Sequence, residues 1–153
     1  EGSEPYDFCV GVAGYPEKHY ESPSMNSDLK RLKQKVDAGA DYVVTQMFFD
    51  NAKYFEFVDK ARAIGINVPI IPGLKPIAVE RHLQLLPQIF KIDLPEDLVA
   101  GVEKCQSNKD IRALGIEWCI AQSKELIKAG VPLIHYYSMG KSSNIMEIGK
   151  ELF

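Results

Sequence analysis

The stretch Val43-Val44-Thr45-Gln46-Met47-Phe48-Phe49-Asp50 decides the fold class of this chain. Its first residues are mostly β-branched or bulky and apolar, which is typical of a strand buried on both faces. Gln46 stands inside this run, where an amide costs free energy unless a polar group meets it. Helical patterns lie on both sides. We therefore interpret the stretch as a central strand of an α/β fold, with a functional residue near its C-terminal end.

Length and composition indicate an ordinary globular domain. The chain has 153 residues, of which 46% are hydrophobic and 25% charged, so we expect a single domain or a fragment of one. Its net charge of −3 argues against a nucleic-acid partner or a membrane surface. No apolar run approaches the length of a membrane span, and we see no signal peptide. Cys9, Cys105 and Cys119 share no short spacing, which predicts reduced, buried or half-buried thiols in a cytoplasmic protein.

Strand-like segments alternate with helical patterns along the whole chain. A glycine after each of three helices marks a passage from helix to strand, at Gly39, Gly65 and Gly130. Ser107 and Asp110 have the spacing of a capping box at the start of a long helix. The predicted strands are 8–14, 43–50, 68–74 and 132–138, and the predicted helices are 25–38, 52–64, 78–86, 96–104, one from about 108, and 144–152.

This alternation predicts four consecutive βα units and a parallel sheet. Two architectures fit four such units. One is a small open doubly wound sheet, and the other is half of an eight-stranded (β/α)8 barrel. In both, ligands bind at the C-terminal ends of the strands, so the candidate site residues should be sought there.

Each strand end carries polar groups. Tyr15 and His19 follow the first strand, Gln46 lies in the second, and Lys141 follows the fourth. The amide of Gln46 can donate and accept at once, which suits the ring edge of a pterin, flavin or nicotinamide. The alternative interpretation of Gln46 is that its amide makes a structural hydrogen bond to backbone inside the sheet. The third strand ends in residues 72–76, which we interpret as a rigid turn.

Several kinds of site are not predicted. The chain has neither G-x-G-x-x-G nor a Walker-type phosphate loop, and no nucleophile motif. His19, His82 and His135 lack metal-ligand spacing. The basic residues of the first predicted helix are interpreted as a solvated face; they are Lys30, Arg31, Lys33 and Lys35. The residues alone therefore predict an α/β protein with a site at the strand ends, and no particular reaction.

Several motifs taken together nevertheless resemble one family, methylenetetrahydrofolate reductase. The resemblance extends over the whole chain, with the motifs in family order and at family-like spacing. They are Ala13-Gly14-Tyr15-Pro16-Glu17-x-His19, Asp28-Leu29, Leu32-Lys33-x-Lys35-Val36-Asp37-Ala38-Gly39-Ala40, Thr45-Gln46-x-Phe48-Phe49-Asp50, Ile70-Ile71-Pro72-Gly73 and His135-Tyr136-Tyr137-Ser138.

The resemblance implies a (β/α)8 barrel that holds FAD. In this family NAD(P)H reduces the flavin, and the flavin then reduces methylenetetrahydrofolate to methyltetrahydrofolate, a ping-pong scheme in one-carbon metabolism. It further implies that Gln46 contacts the folate and the nicotinamide in turn. The cofactor-binding positions it implies are Tyr15, His19, Asp28 and Lys35, with Lys35 near the diphosphate and Asp28 near the ribityl or ribose portion.

Some positions depart from the family pattern. Lys141 replaces a folate-contacting arginine and loses its bidentate fork, and His82 and Leu86 replace a common glutamine and a frequent aromatic residue. The substrate-binding positions that the resemblance implies are Gln46, His82 and Lys141, and we expect folate recognition at His82 and Lys141 to differ from the family's.

The resemblance covers only the second half of the family's barrel. The catalytic acid belongs to the first half, so we expect no catalytic residue in this chain. We also expect a homo-oligomer, or association with the missing half through open strand edges. The alternative is a non-catalytic half-barrel fragment or binding module.

Overall fold

A computed structural model describes residues 8–140 and 142–153. Its four strands are all parallel and form one sheet in the order in which they occur along the chain. Sequential order is that of a barrel wall, since a doubly wound sheet reverses its order at a switch point. The predicted α/β fold with four parallel strands is confirmed. The strands are β1 Gly11–Gly14, β2 Tyr42–Met47, β3 Ile70–Leu74 and β4 His135–Tyr136.

Helices follow every strand. One helix follows each of β1, β2 and β4, and three helices follow β3. Ser24 and Ser107 cap the first and fifth helices, and the capping bond predicted for Ser107 is confirmed, since its Oγ accepts the Asp110 amide at 3.3 Å. The helices are α1 Met25–Asp37, α2 Asn51–Ala63, α3 His82–Phe90, α4 Glu96–Glu103, α5 Asn108–Lys128 and α6 Ser143–Leu152.

The two faces of β2 differ in burial. Val43, Thr45 and Met47 are buried, whereas the side chains between them, Val44 and Gln46, are half-exposed. The prediction that this strand is buried on both faces is therefore wrong. The face that carries Val43 packs against helix residues in the main hydrophobic cluster, and the face that carries Val44 and Gln46 is half-exposed.

The first strand is an edge rather than a buried element. Predicted as 8–14, it begins at Gly11, and Phe8 and Val10 are 71% and 45% exposed. Cys9 is exposed too, against the prediction of a buried or half-buried thiol. The reason is that β1 pairs only with β2 among the described strands, so no neighbour covers its second side. Cys119 is buried as predicted, and burial raises its pKa to about 12.

Two further boundaries differ from the predictions. The fourth strand is reduced to His135 and Tyr136, and Leu133 before it is 59% exposed. The helix predicted over 78–86 begins at His82 instead and continues through Pro87. Leu86 is buried in a second hydrophobic cluster, formed with residues of α4 and α5, and this packing stabilises the helix despite the proline.

Within the described part of the chain, no helix has the length and apolarity that a membrane crossing requires.

Gly115 lets α5 pack directly on the backbone that follows β3. A Cβ atom on Gly115 would lie 1.9 Å from the Ile77 carbonyl oxygen. We expect Gly115→Ala to lower the free energy of unfolding by about 1–3 kcal/mol, because backbone cannot yield as a side chain does. Urea denaturation measures the change.

Gly149→Ala is the matched control. This glycine lies inside α6, and a Cβ atom there meets nothing within 4 Å. Its replacement by alanine should raise the free energy of unfolding by up to about 1 kcal/mol, the difference in helix propensity. Equal effects of the two substitutions would refute the close approach of α5 to Ile77.

Candidate functional site

The loop after β1 is fastened to the first helix by one carboxylate. Asp28 accepts the His19 amide at 3.0 Å through Oδ2 and the Ser22 hydroxyl at 2.9 Å through Oδ1. Lys18 has a left-handed backbone with φ of 74°, and its Nζ donates to the Ser22 carbonyl at 2.6 Å. These bonds fold the loop back over the start of α1 and fix the position of the His19 ring.

A cavity of about 190 Å³ lies between this loop and α1. The four residues predicted to contact a cofactor all line it. The rings of Tyr15 and His19 meet edge to face, with centroids 4.7 Å apart. Burial, and then the charge of Asp28, raise the pKa of Tyr15, so its hydroxyl stays protonated at neutral pH. The polar residues that line the cavity are Tyr15, His19, Glu21, Ser22, Asp28, Arg31 and Lys35.

Arg31 was not predicted as a site residue. The basic residues of α1 were interpreted as a solvated face, but the structure divides them. Arg31 and Lys35 line the cavity, one helical turn apart, whereas Lys33 pairs with Asp37. The spacing of four residues between Arg31 and Lys35 was the available signal, since it puts both on one side of a helix. Neither cation has an acidic partner in the described part of the chain.

Gln46 lies at a bulge in the sheet. Val44 pairs with Ile71 and Met47 pairs with Gly73, so two residues of β2 stand opposite Pro72 alone. Proline has no amide hydrogen to give to the ladder, which is why strands tolerate it at bulges. Gln46 is half-exposed like Val44, and both lie on the face of the sheet opposite to the buried Val43, Thr45 and Met47.

The amide of Gln46 is half engaged. Its Oε1 accepts the Met47 backbone amide at 3.0 Å. Its Nε2 makes no hydrogen bond within residues 8–140 and 142–153. The Gln46 oxygen therefore makes the structural hydrogen bond to backbone that was the alternative to ligand binding. Its Nε2 group is available to donate to a ligand on the open face.

Thr45 and Tyr137 join three strands beside Gln46. The buried Thr45 hydroxyl accepts the Gly73 amide at 2.9 Å, and the Thr45 carbonyl accepts the Tyr137 hydroxyl at 2.9 Å. A Cβ atom on Gly73 would lie 2.4 Å from the Thr45 carbonyl oxygen, so the close approach requires glycine. Burial, and then Tyr15, raise the pKa of Tyr137, which keeps its hydroxyl a donor.

His82 lies in a different cavity from the four residues around α1. This second cavity, of about 230 Å³, lies beyond the ends of β3 and β4 and is also lined by Lys75 and Tyr137. Burial, and then the charge of Lys75, lower the pKa of His82. Gln46 lines neither cavity. It lies at the end of β2, and β2 stands between β1 and β3 in the sheet. The predicted site residue Lys141 lies outside the described residues.

Glu17 anchors the loop after β1 to two further elements. Its Oε2 accepts Lys53 Nζ at 2.6 Å and the Asp93 amide at 2.9 Å. Burial is the largest influence on Glu17 and raises its pKa, although Lys53 opposes it. Oε1 of Glu17 is fully buried, and no described group bonds to it. The carboxylate thus serves as a structural clamp, outside both cavities.

Comparison with known proteins identifies relatives along almost the whole chain. The family model for methylenetetrahydrofolate reductase matches residues 3–152. A probable methylenetetrahydrofolate reductase (NADPH) of Caenorhabditis elegans is 37% identical over 147 residues, 95% of this chain and 22% of that protein. A 5,10-methylenetetrahydrofolate reductase of Pectobacterium carotovorum is 34% identical over 137 residues, 89% of this chain and 46% of that protein. The chain therefore spans less than half the length of these relatives.

One solved structure shares the fold. It is an uncharacterized protein from Clostridium thermocellum that binds two copies of 5-methyl-5,6,7,8-tetrahydrofolic acid. The TM-score is 0.63 at 20% identity, and the match covers 95% of this chain and 54% of the other. At this identity the likeness concerns the fold alone.

The bond from Gly73 to Thr45 gives a direct test of the bulge. Thr45→Val keeps the shape of the side chain but leaves the buried Gly73 amide without an acceptor. We expect the free energy of unfolding to fall by about 1–3 kcal/mol, the cost of an unsatisfied buried donor. Tyr137→Phe removes the hydroxyl of a half-buried residue instead, and the loss of its bond should cost about 1 kcal/mol. If Thr45→Val is as mild as Tyr137→Phe in urea denaturation, the bulge does not depend on this bond.

Proposed function

Because the chain belongs to the methylenetetrahydrofolate reductase family, we propose that it forms the FAD- and folate-contacting half of a reductase barrel. The complete enzyme would convert methylenetetrahydrofolate to methyltetrahydrofolate, with NAD(P)H as the reducing substrate. The relatives include proteins named for NADPH and for NADH, so the nucleotide is left as NAD(P)H.

One observation carries the proposal: Tyr15, His19, Asp28 and Lys35 line a single cavity. The cations of Arg31 and Lys35 on this cavity have no acidic partner among the described residues, which suits a diphosphate. The cavity of about 190 Å³ is too small for a whole dinucleotide, so it would hold only part of the cofactor. Each carboxylate oxygen of Asp28 accepts one hydrogen bond from the loop. Each oxygen can therefore accept a second hydrogen bond, from a sugar hydroxyl.

FAD, when bound, would supply the hydride chemistry, taking a hydride from NAD(P)H and passing it to the folate. This chain's part is to bind and orient. The free Nε2 of Gln46 would donate to whichever ring edge lies over the flavin, and its Oε1 could leave the Met47 amide to accept. One amide that meets two substrates in turn would suit a ping-pong scheme, in which the two substrates bind the same site alternately.

The proton that the opening methylene group needs would come from outside this chain. Glu17, a half-buried glutamate of the loop after β1, is held by Lys53 and by the Asp93 amide. It lines neither cavity, so it is not positioned as a donor. Consistent with this, the sheet presents an open face, which the other half of the barrel or a second copy would cover.

The alternative function is a half-barrel binding module without catalysis. The half-exposed sheet face supports it for the 153-residue chain alone, as does the expectation that the catalytic acid belongs to the other half of the barrel. Folate reduction assayed on the chain alone and on the complete protein separates the two proposals.

Flavin content tests the proposed function directly. The purified complete protein should be yellow or become yellow with FAD, and anaerobic NAD(P)H should bleach its flavin absorbance. Methylenetetrahydrofolate should then restore the absorbance. A protein that stays colourless at saturating FAD would rule the proposal out.

Two substitutions should separate cofactor binding from substrate orientation. Lys35→Met removes a cation from the cavity and should weaken FAD binding about tenfold, the effect of one charge-assisted bond. Lys30→Met removes an exposed cation of the same helix and should leave FAD binding unchanged. Fluorescence titration of FAD gives both constants.

Gln46→Ala should keep its flavin and slow both half-reactions by about ten- to a hundredfold, the cost of a lost hydrogen bond to a bound ring. Stopped-flow absorbance measures each half-reaction separately. Release of flavin from Gln46→Ala would show that Gln46 holds the cofactor instead.

A further inference from the structure

The second cavity contains a buried cation that nothing in the described structure neutralises. Lys75, just after β3, is only 6% exposed. Its amine has no hydrogen-bond acceptor or acidic partner among residues 8–140 and 142–153, and burial lowers its pKa. An unpaired buried charge is costly for a folded protein, and such groups concentrate at functional sites. Residues 72–76 were interpreted from sequence only as a turn, so this group was missed.

The Lys75 amine keeps some solvent-accessible surface. It has no partner, yet among the described residues the only fully buried side-chain polar atom without a partner is Glu17 Oε1, so the Lys75 amine is not fully buried. Lys75 also lines the cavity. A ligand in the cavity can reach it.

His82 adds a neutral donor to the same cavity. Its Nδ1 accepts the Ala78 backbone amide at 3.2 Å, so in the neutral ring the proton sits on Nε2. Burial and the nearby Lys75 charge favour the neutral ring by lowering its pKa. His82 thus offers one N–H group beside the Lys75 cation.

The third component is the N-terminus of α6, a ten-residue helix. Asn144 and Ile145 of its first turn line the cavity. Ser142, at the cap position, makes no side-chain capping bond, and the first described bond of the helix runs from the Met146 amide to the Ser142 carbonyl. The amides of Asn144 and Ile145 have no acceptor in the described part, and such amides favour an anion.

We propose that Lys75, His82 and the N-terminus of α6 form a subsite for one compact oxyanion, a carboxylate or a phosphate carried by a substrate. No acidic side chain is among the described residues that line the cavity. The folate offers carboxylates and the nicotinamide nucleotide offers phosphates, and this choice of carrier rests on the proposed function. The existence of the subsite does not, since its donors belong to a cavity separate from that of α1.

Calorimetric titration of the complete protein with inorganic phosphate and with glutarate tests the subsite. Both titrations use matched ionic strength, set with chloride. We expect saturable binding of at least one probe, weakened at least about tenfold in Lys75→Met. Lys150→Met removes an exposed lysine of α6 and should bind as the unaltered protein does. Absence of saturable binding, or equal binding by Lys75→Met, would overturn the proposal.

Two further readouts guard against a trivial loss of folding. Lys75→Met should melt at the same or a higher temperature, because it replaces an unpaired buried cation by an apolar chain of similar length. His82→Phe keeps a ring but loses the N–H donor. This substitution should also weaken the binding of whichever probe the unaltered protein binds. Undiminished binding in a folded His82→Phe protein would remove His82 from the subsite and contradict the proposal.

Steady-state kinetics identifies the carrier of the oxyanion. A raised KM of Lys75→Met for the folate alone indicates a carboxylate, and a raised KM for the nicotinamide nucleotide alone indicates a phosphate. Unchanged values for both would refute the link to a substrate. The probe titrations measure anion binding at the subsite whether or not the protein binds flavin. Failure of the proposed function can therefore be distinguished from failure of the subsite.

Discussion

The buried hydrogen bond from the Gly73 amide to the Thr45 hydroxyl holds β2 and β3 together where their ladder is interrupted. Pro72 cannot donate there, and the extra residue of β2 has to bulge. Thr45 supplies the missing acceptor from its side chain, and its carbonyl takes the Tyr137 hydroxyl from beyond β4. Because Thr45 faces the helices, Gln46 is turned to the open face. The candidate site depends on this local arrangement.

The electrostatics of the strand ends follow from the order of the strands. Arg31 and Lys35 lie beyond β1, Lys75 lies beyond β3, and Gln46 is at the end of β2 between them. Arg31, Lys35 and Lys75 have no acidic partner in the described part of the chain, and the centre is a neutral amide. The two flanks differ, because Glu21 and Asp28 also line the cavity beyond β1, whereas no described acidic residue lines the cavity beyond β3.

Much of the fold could be predicted from residue patterns. Apolar β-branched runs and the glycines after the helices located four parallel βα units, and the structure confirms them. Burial was harder to predict, because apolar content in β1 and β2 looks the same whether the barrel is closed or open. The bulge at Gln46 was not predicted, since its cause lies in Pro72 on a neighbouring strand. The extent of α3 was missed because proline normally ends a helix, whereas the burial of Leu86 stabilises this one.

The candidate site was predicted in part. The family motifs drew attention to Tyr15, His19, Asp28 and Lys35, and the structure brings these four to one cavity, although their role in holding FAD stays a prediction. Arg31 and Lys75 were missed for one reason. A lysine or arginine is exposed in most proteins, and only the packing of the fold decides which ones face a cavity.

A crystal structure of the complete protein with FAD and a folate would locate both ligands against these residues. We expect the FAD diphosphate within hydrogen-bond distance of Arg31 or Lys35, and the Gln46 side chain in contact with the folate ring. Flavin bound away from α1, or Gln46 still bonded only to the Met47 amide beneath an occupied site, would contradict this expectation.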